Sequence, residues 1–179
     1  TLNEERALPA TLASVRAQDH AHEIIVCDGG SNDATRAIAE AAGNARWLTA
    51  PRGRGAQMNA GARAASGNWL LFLHADTLLP PNALTQIADL PPAIEAGCFH
   101  QAFSGSSAGL KQVSRLHNWR CRRTQIMYGD QAMFVRRHVF EVVGGFPETN
   151  MEDVGLSEKL RARAAPVMLD ATVVTDARK

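Results

Sequence analysis

Short apolar runs alternate with amphipathic segments along the first half of the chain. Leu8, Leu12 and Val15 recur at helical spacing and predict a helix over about residues 4–18. The runs between turn residues predict strands at 23–28, 46–49 and 69–73, and alanine-rich segments predict helices at 34–42 and 56–65. Strands that alternate with helices predict an α/β fold, whose mixed and mostly parallel sheet is flanked by helices.

The second half has a less regular pattern. Proline pairs bracket a short predicted helix, and the remaining elements are a strand at 130–135, one or two helical turns at 137–143, a helix at 152–163 and a strand at 167–169. The sequence contains no internal repeat and no low-complexity segment. The prediction is a single domain over residues 1–179.

Composition and charge narrow the class of protein. Of the 179 residues, 45% are hydrophobic and 21% are charged, which is typical of a soluble globular protein. Nineteen basic and eighteen acidic residues leave a net charge of +1, so no global field indicates a nucleic-acid partner. The longest apolar run, 69–73, is far shorter than the roughly 20 residues of a membrane span, and no signal peptide is recognisable. The three cysteines are widely spaced and form no CxxC pair, so we expect reduced thiols and a cytoplasmic protein. Because the chain opens with Thr1 rather than Met, we also expect residues to be missing at both ends.

Two of the predicted strands end in an aspartate, at the edge of the sheet where ligands bind in such folds. Asp76 offers a hard oxygen ligand to Mg²⁺ or Mn²⁺, and it is equally suited to a turn or a helix N-cap. Asp28, followed by Gly29-Gly-Ser31, offers acceptors to a nucleobase or ribose, or it forms the turn itself. The residues alone leave both choices open.

Three other segments could carry chemistry. The loop 52–55 places two arginines at a predicted helix N-terminus, where an anion such as a diphosphate is favoured, although a flexible basic loop explains them too. Its partial likeness to a dinucleotide fingerprint lacks the third glycine, which argues against a dehydrogenase. Glu152-Asp153 opens a helix. The helix dipole stabilises acidic residues at such a position, and a carboxylate there could also act as a general base. Gly129-Asp130-Gln131 could bind a substrate hydroxyl or form a turn.

The order of these segments resembles the family 2 glycosyltransferases over essentially the whole chain. The motifs that carry the resemblance are 1–4, 26–35, 52–61, 73–77, 129–131, 144–147 and 152–153. At Asp-Gly-Gly-Ser, His-Ala-Asp-Thr and Gly-Asp-Gln the chain is most similar to a bacterial subgroup described as transferase 2, radical-SAM/selenodomain-associated.

The resemblance implies a GT-A fold in which residues 1–90 bind a nucleotide-sugar and residues 91–179 bind the acceptor and carry the base. It implies a UDP- or GDP-sugar donor, a divalent metal (Mg²⁺ or Mn²⁺) and inverting transfer to a hydroxyl acceptor. By the same resemblance Thr1 and Glu4 lie by the nucleotide, Asp28 binds the nucleobase, and Arg54 lies near the nucleobase or diphosphate. Asp76 holds the metal.

The resemblance also makes Asp153, beside Glu152, the general base of the reaction. Asp130 and Gln131 lie on the acceptor side.

The chain departs from the family pattern at two positions. Gly29 stands where the family usually has a second aspartate after Asp28, and His74 stands at the first carboxylate of the metal motif. Metal binding is therefore expected to rest on Asp76 together with diphosphate and water.

The acid-free segment 96–129 holds five basic residues, and its 111–123 portion has the pattern of an amphipathic helix. A solvated face over an ordinary core stripe explains that helix more simply than a membrane helix does. We nevertheless expect this acceptor side to contact an anionic acceptor or a membrane surface, as a peripheral contact at the inner face of the membrane.

Two other functions are compatible with parts of the sequence. A sugar-phosphate nucleotidyltransferase would be expected to open with a glycine-rich Gly-x-Gly-Thr-Arg loop, which the sequence lacks. A non-catalytic nucleotide-binding module would keep Asp28 and Asp76 but would not need Glu152-Asp153. Donor hydrolysis distinguishes that module from an enzyme.

Overall fold

The helices and strands of the first half form close to their predicted positions. The computed structural model describes residues 1–105 and 107–177. Its first elements are α1 (Leu8–Arg16), β1 (Ile24–Asp28), α2 (Thr35–Ala41), β2 (Ala45–Thr49), α3 (Arg54–Ala64), β3 (Trp69–Leu71), β4 (Thr77–Leu78) and α4 (Ala83–Ala88). The remaining elements are β5 (Ala96–Phe103), α5 (Ala108–Thr124), a 3₁₀ turn (Gly129–Gln131), β6 (Phe134–Arg136), α6 (Arg137–Val142), α7 (Glu152–Arg163) and β7 (Val167–Thr175).

The strands form a two-stranded sheet and a five-stranded mixed sheet. β1 pairs with β2 in parallel. The larger sheet has the order β3-β6-β5-β7-β4. There β5 and β7 are parallel, whereas the β3–β6, β5–β6 and β4–β7 pairs are antiparallel. The predicted α/β architecture with a mixed sheet and flanking helices is confirmed.

Several boundaries differ from the predictions. The first helix begins at Leu8 rather than at residue 4, and β7 extends to Thr175 rather than to residue 169 because it pairs with β5 along that length. Three further differences have local reasons. Gly129–Gln131 forms a 3₁₀ turn, so the strand predicted from residue 130 begins only at Phe134. Residues 96–103, for which no strand was predicted, form β5, the central strand of the larger sheet, because pairing on both sides outweighs an irregular apolar pattern. Asp76 lies in the turn before β4 rather than at the end of β3, with Thr77 N–H donating to the His74 carbonyl.

The core joins the two halves of the chain. Leu70 and Phe72, from the first half, pack in one buried cluster with Met133, Phe140 and Phe146 from the second. The rings of Phe72, Phe140 and Phe146 lie 4.8–5.6 Å apart, centroid to centroid. Cores of this kind hold the loops at the sheet edge in fixed positions. Within the described ranges, every helix is too short or too polar to cross a membrane.

Candidate functional site

The turn after β1 is built around the Asp28 carboxylate. Its Oδ2 accepts hydrogen bonds from the backbone N–H groups of Gly30 and Ser31, at 2.9 and 2.8 Å, and its Oδ1 accepts one from the Ser31 hydroxyl. Burial alone would raise the pKa of Asp28, but the hydrogen bonds from Ser31 and Gly30 outweigh it and hold the pKa below its usual value. Asp28 is therefore an ionised group that shapes this loop.

The N-terminal residues run along the same turn. Gly29 N–H donates to the Thr1 carbonyl at 3.0 Å, and the backbone N–H of Glu4 donates to the Thr35 hydroxyl at 2.8 Å. The structure thus places Thr1 against the turn that follows Asp28, and Glu4 against Thr35 at the start of α2.

The side chain of Gln57 leaves little room for any side chain at position 29. Its Nε2 donates to the carbonyls of Thr1, at 2.6 Å, and Cys27, at 3.1 Å. A Cβ on Gly29 would lie 3.0 Å from the Gln57 carboxamide, closer than ordinary packing allows. The position that usually carries a second aspartate is therefore fitted here to a glutamine, whose side chain ties α3 to Thr1 and to the end of β1. Gln57 belongs to the 52–61 motif, but its place at this turn follows only from the fold.

Asp76 lies on a cavity of about 390 Å³ that is rich in carboxylates. The cavity is lined by Asn3, Glu4, Glu5, Arg6, Ala7, Asp33, Asp76 and Asp176. No sequence motif indicated Asp176. It lies beside Asp76 because β4 pairs with β7, and its backbone N–H donates to the Asp76 carbonyl at 2.9 Å. Glu4 and Asp76, from motifs 70 residues apart, share this cavity.

The donor atoms of this cavity suit a hard divalent cation. Among residues 1–105 and 107–177, no three His, Cys, Asp or Glu side chains are grouped closely enough to hold a metal by themselves. Mg²⁺, however, commonly takes only one or two protein carboxylates and fills its shell with phosphate and water. Asp76 fits that role as one carboxylate ligand.

His74 marks the place where the remaining candidates meet. Burial is the largest influence on its imidazole and lowers its pKa. Asp76, Asp130 and Asp153 raise this pKa, and Arg54 lowers it, so all four charges act on one ring. His74 is therefore a partly buried imidazole that is neutral at neutral pH, two residues before Asp76 and in contact with Gly129 of the second half.

Gly129 connects His74 with Asp153. The Gly129 N–H donates to Asp153 Oδ2 at 3.0 Å, and the N–H of Val154 donates to Asp153 Oδ1 at 2.8 Å. A Cβ on Gly129 would lie 2.7 Å from Nε2 of His74, so only glycine leaves room for the ring. These two hydrogen bonds orient both carboxylate oxygens of Asp153 at the start of α7. The helix predicted at 152–163 forms with these bounds.

Glu152 faces a different partner. It is buried at the start of α7, and its Oε1 pairs with Nε of Arg54 at 2.9 Å. The Arg54 side chain is 65% exposed, so its terminal nitrogens can reach a ligand while Nε holds Glu152. The two adjacent acidic residues thus have separate surroundings.

Asp130 and Gln131 lie in the 3₁₀ turn. The Asp130 side chain is partly exposed, whereas that of Gln131 is buried. Oδ1 of Asp130 lies 3.2 Å from Nε2 of His117, although the two atoms are not aligned as a hydrogen bond. Gln131 is fully buried, accepts from the Tyr128 N–H at 3.1 Å and donates to Asn118 at 3.4 Å. The Gln131 side chain therefore holds the 3₁₀ turn to Asn118 of α5.

The chain belongs to glycosyl transferase family 2, whose model matches residues 1–146. One curated relative, a TPR repeat-containing protein of Synechococcus elongatus, is 36% identical over 118 residues. That match covers 64% of this chain and 28% of the relative, so the chain spans under a third of that protein's length.

Solved glycosyltransferases share the fold. Staphylococcus aureus TarS 1-349 matches 98% of this chain with a TM-score of 0.78 and 20% identity, over 58% of its own length. Mannosyltransferase PcManGT from Pyrobaculum calidifontis, in complex with GDP-Man and Mn²⁺, matches 97% of this chain at 0.71 and 20% identity, over 54% of its length. Glucosyl-3-phosphoglycerate synthase from Mycobacterium tuberculosis, in complex with Mn²⁺, UDP and glucosyl-3-phosphoglycerate, matches 100% of this chain at 0.72 and 19% identity, over 70% of its length.

Proposed function

We propose that the chain transfers a sugar from a UDP- or GDP-sugar to a hydroxyl acceptor, with inversion at the anomeric carbon and with a divalent metal. The observation that carries this proposal is that Gly129 lies against His74, two residues before Asp76, and donates its N–H to Asp153. One carboxylate there lies on the cavity shared with Glu4, and the other is held by Gly129. Inverting transfer needs such a pair, one for the leaving diphosphate and one for the acceptor proton.

The donor would lie between the β1 turn and Asp76. Thr1, Glu4 and Asp28 lie on the nucleotide side, where Asp28 keeps acceptor capacity beyond the three hydrogen bonds that it receives. Asp76 would bind the metal, which supplies positive charge to the leaving diphosphate. Arg54 would contribute a second positive charge from the N-terminus of α3. The UDP, GDP-Man and Mn²⁺ complexes of the structural neighbours support this class of donor.

Asp153 would act as the general base. One of its carboxylate oxygens takes the proton from the acceptor hydroxyl as the acceptor oxygen bonds to the anomeric carbon. The bond from that carbon to the phosphate oxygen breaks in the same step, and the nucleoside diphosphate leaves with the electron pair. A single displacement inverts the anomeric centre, and no enzyme-bound sugar is formed.

The acceptor side would be formed by Asp130, with Gln131 as the residue that positions it. Asp130 acts on His74 and lies against His117, so it borders the same site from the second half. Gln131 is too deeply buried to touch an acceptor directly and would hold the 3₁₀ turn instead. Within the family, the His-Ala-Asp-Thr and Gly-Asp-Gln motifs support a place in the radical-SAM/selenodomain-associated subgroup.

A thermal-shift screen tests the proposal without knowledge of the acceptor. UDP- and GDP-sugars are titrated with and without Mn²⁺, and release of the nucleoside diphosphate is followed for each ligand that binds. A ligand at 100 times its Kd should stabilise the fold by about 2.7 kcal/mol. Stabilisation that depends on Mn²⁺, with slow donor hydrolysis, is the expected result. Binding without any turnover would instead assign a non-catalytic nucleotide-binding module, and the absence of any nucleotide-dependent shift would contradict the proposal.

A further inference from the structure

Helix α5 carries large apolar side chains on its outward face. Val113, Leu116 and Trp119 are 53%, 60% and 62% exposed. Successive helical residues are about 100° apart, so these three project away from Ser114 and Cys121, which α5 buries against the sheet. A surface helix normally shows the reverse arrangement, with polar side chains outward. We name Val113, Leu116 and Trp119 the outer stripe.

Basic side chains surround the outer stripe. Five of them belong to the helix and are exposed, namely Lys111, Arg115, Arg120, Arg122 and Arg123. Of these, Arg120 and Arg122 also contact Tyr128 and His100 at the flanks of the helix. No acidic residue occurs anywhere in 96–129. Two acidic side chains lie on the sheet-facing side of the helix, where Asp130 faces His117 and Asp170 acts on His100. The outward face is therefore both apolar and uniformly positive.

We propose that α5 docks the protein onto an anionic membrane surface. A helix whose outward face combines Trp and Leu with Lys and Arg is suited to lie in the headgroup region of a bilayer. Its apolar side chains enter the acyl boundary, and its basic side chains pair with anionic lipid headgroups. The uniform positive charge selects this occupant over a second copy of the chain, because two copies of α5 face to face would repel each other. This inference goes beyond sugar transfer and does not depend on it.

The same helix borders the site on its inner side. Arg120 stacks on the Tyr128 ring, with its guanidinium carbon 4.1 Å from the ring centroid, and His117 faces Asp130. A membrane bound by the outer stripe would lie on the acceptor side of the fold. The docking proposal therefore also orients the site with respect to the bilayer.

Vesicle co-sedimentation of the chain, without nucleotide, tests the docking. Vesicles of phosphatidylcholine alone are compared with vesicles that also contain phosphatidylglycerol, at low and high salt. We expect binding to the anionic vesicles only, weakened by salt because the headgroup contacts are electrostatic. Fluorescence of Trp119 should shift to the blue on binding, and the variant Trp119→Phe should lose that shift.

Matched variants identify the face. Leu116→Ser with Trp119→Ser should lower the partition coefficient at least about tenfold, since a large apolar side chain removed from water contributes that much. Lys111→Glu with Arg115→Glu should lower it more than about tenfold, at roughly fivefold or more for each basic residue. Val142→Ser, at an equally exposed apolar position on α6 beside Glu141, and Arg63→Glu on α3 are the controls and should bind like the wild type.

Three results would overturn the proposal. They are failure of the wild type to bind anionic vesicles at low salt, wild-type binding by the Leu116→Ser, Trp119→Ser variant, and dimerisation in sedimentation velocity that this double variant abolishes. The last result would assign the outer stripe to contact between two copies. Because all of these assays omit the donor, their failure is distinct from failure of the proposed sugar transfer.

Discussion

The backbone N–H of Gly129 donates a 3.0 Å hydrogen bond to Oδ2 of Asp153, while the α-carbon of the same glycine lies against the edge of His74. One residue without a side chain therefore sets the distance between the start of α7 and the histidine beside Asp76. The base side and the diphosphate side of the proposed site meet at this contact.

Gly129→Ala tests whether stability and donor hydrolysis depend on the close approach of Gly129 to His74. The new methyl group would lie 2.7 Å from Nε2 of His74, so either the ring or the 3₁₀ turn must move. We expect a loss of about 1–3 kcal/mol in the free energy of unfolding, as for overpacking elsewhere, and slower donor hydrolysis. Denaturant unfolding and nucleoside diphosphate release measure the two effects.

Gly109→Ala is the matched control for this substitution. A Cβ at position 109 meets open space on α5, so its stability should change by no more than about 1 kcal/mol and its activity not at all. A Gly129→Ala variant that behaves like Gly109→Ala would show that the contact with His74 is unimportant.

Asp76→Ala should remove the metal-dependent part of nucleotide binding. Asp76 is the carboxylate of the cavity that the motif assigns to the metal, and phosphate cannot hold the ion in place without it. The thermal shift with UDP or GDP plus Mn²⁺ should fall to the shift measured without Mn²⁺. Asp19→Ala, at an exposed position after α1, should keep the full shift. An unchanged Mn²⁺-dependent shift in Asp76→Ala would place the metal elsewhere.

Asp28→Asn should alter the acid dependence of stability. Hydrogen bonds hold the pKa of Asp28 below its value in the unfolded chain, about 3.9. The carboxylate therefore adds stability that is fully present above about pH 3.9 and is lost as the pH falls through the lower, folded-state pKa. Urea unfolding should show the variant less stable than the wild type at neutral pH, with the difference shrinking in acid. A difference that stays constant with pH would mean that the ionised form does not support the turn.

The sequence predicted most elements of the first half, and α7 of the second half, because their signals are local. Apolar strands, alanine-rich helices and a glycine-rich turn each occupy a few consecutive residues, and α7 begins and ends at the predicted residues 152 and 163. The motifs at Thr1, Glu4 and Asp28 come together because they adjoin one strand and one helix. Local patterning therefore suffices where short connections set the geometry.

The remainder depends on contacts between distant residues. β5 owes its place to pairing with β6 and β7, which no period in its own sequence shows. Gln57, His117 and Asp176 lie 30, 13 and 100 residues from their respective partners Cys27, Asp130 and Asp76. Gln57 belongs to the 52–61 motif, but no pattern in the sequence assigns any of the three to its partner. The burial of Gln131 also follows from packing of the 3₁₀ turn against α5, which its motif does not encode.

The Arg54–Glu152 pair should show measurable coupling. Glu152 is buried and Arg54 is mostly exposed, so removal of the arginine leaves a buried carboxylate without its partner. A double-mutant cycle of Arg54→Ala and Glu152→Gln, measured by denaturant unfolding, should give a coupling free energy of about 1 kcal/mol, reduced by the exposure of Arg54. Additive effects of the two substitutions would mean that the ion pair contributes nothing to stability.

Asp153→Asn, assayed for donor affinity and turnover together, tests the central claim most directly. A general base acts on the acceptor proton and need not touch the donor, so its loss should lower the rate about 10²–10⁴-fold without weakening ground-state binding. The measurement compares the Kd of the nucleotide with Mn²⁺, by calorimetry, and the rate of nucleoside diphosphate release for the wild type, Asp153→Asn and Glu152→Gln. We expect an unchanged Kd and a collapsed rate for Asp153→Asn, with a milder loss for Glu152→Gln. A wild-type rate in Asp153→Asn would contradict this expectation and make Asp130 the next candidate for the base.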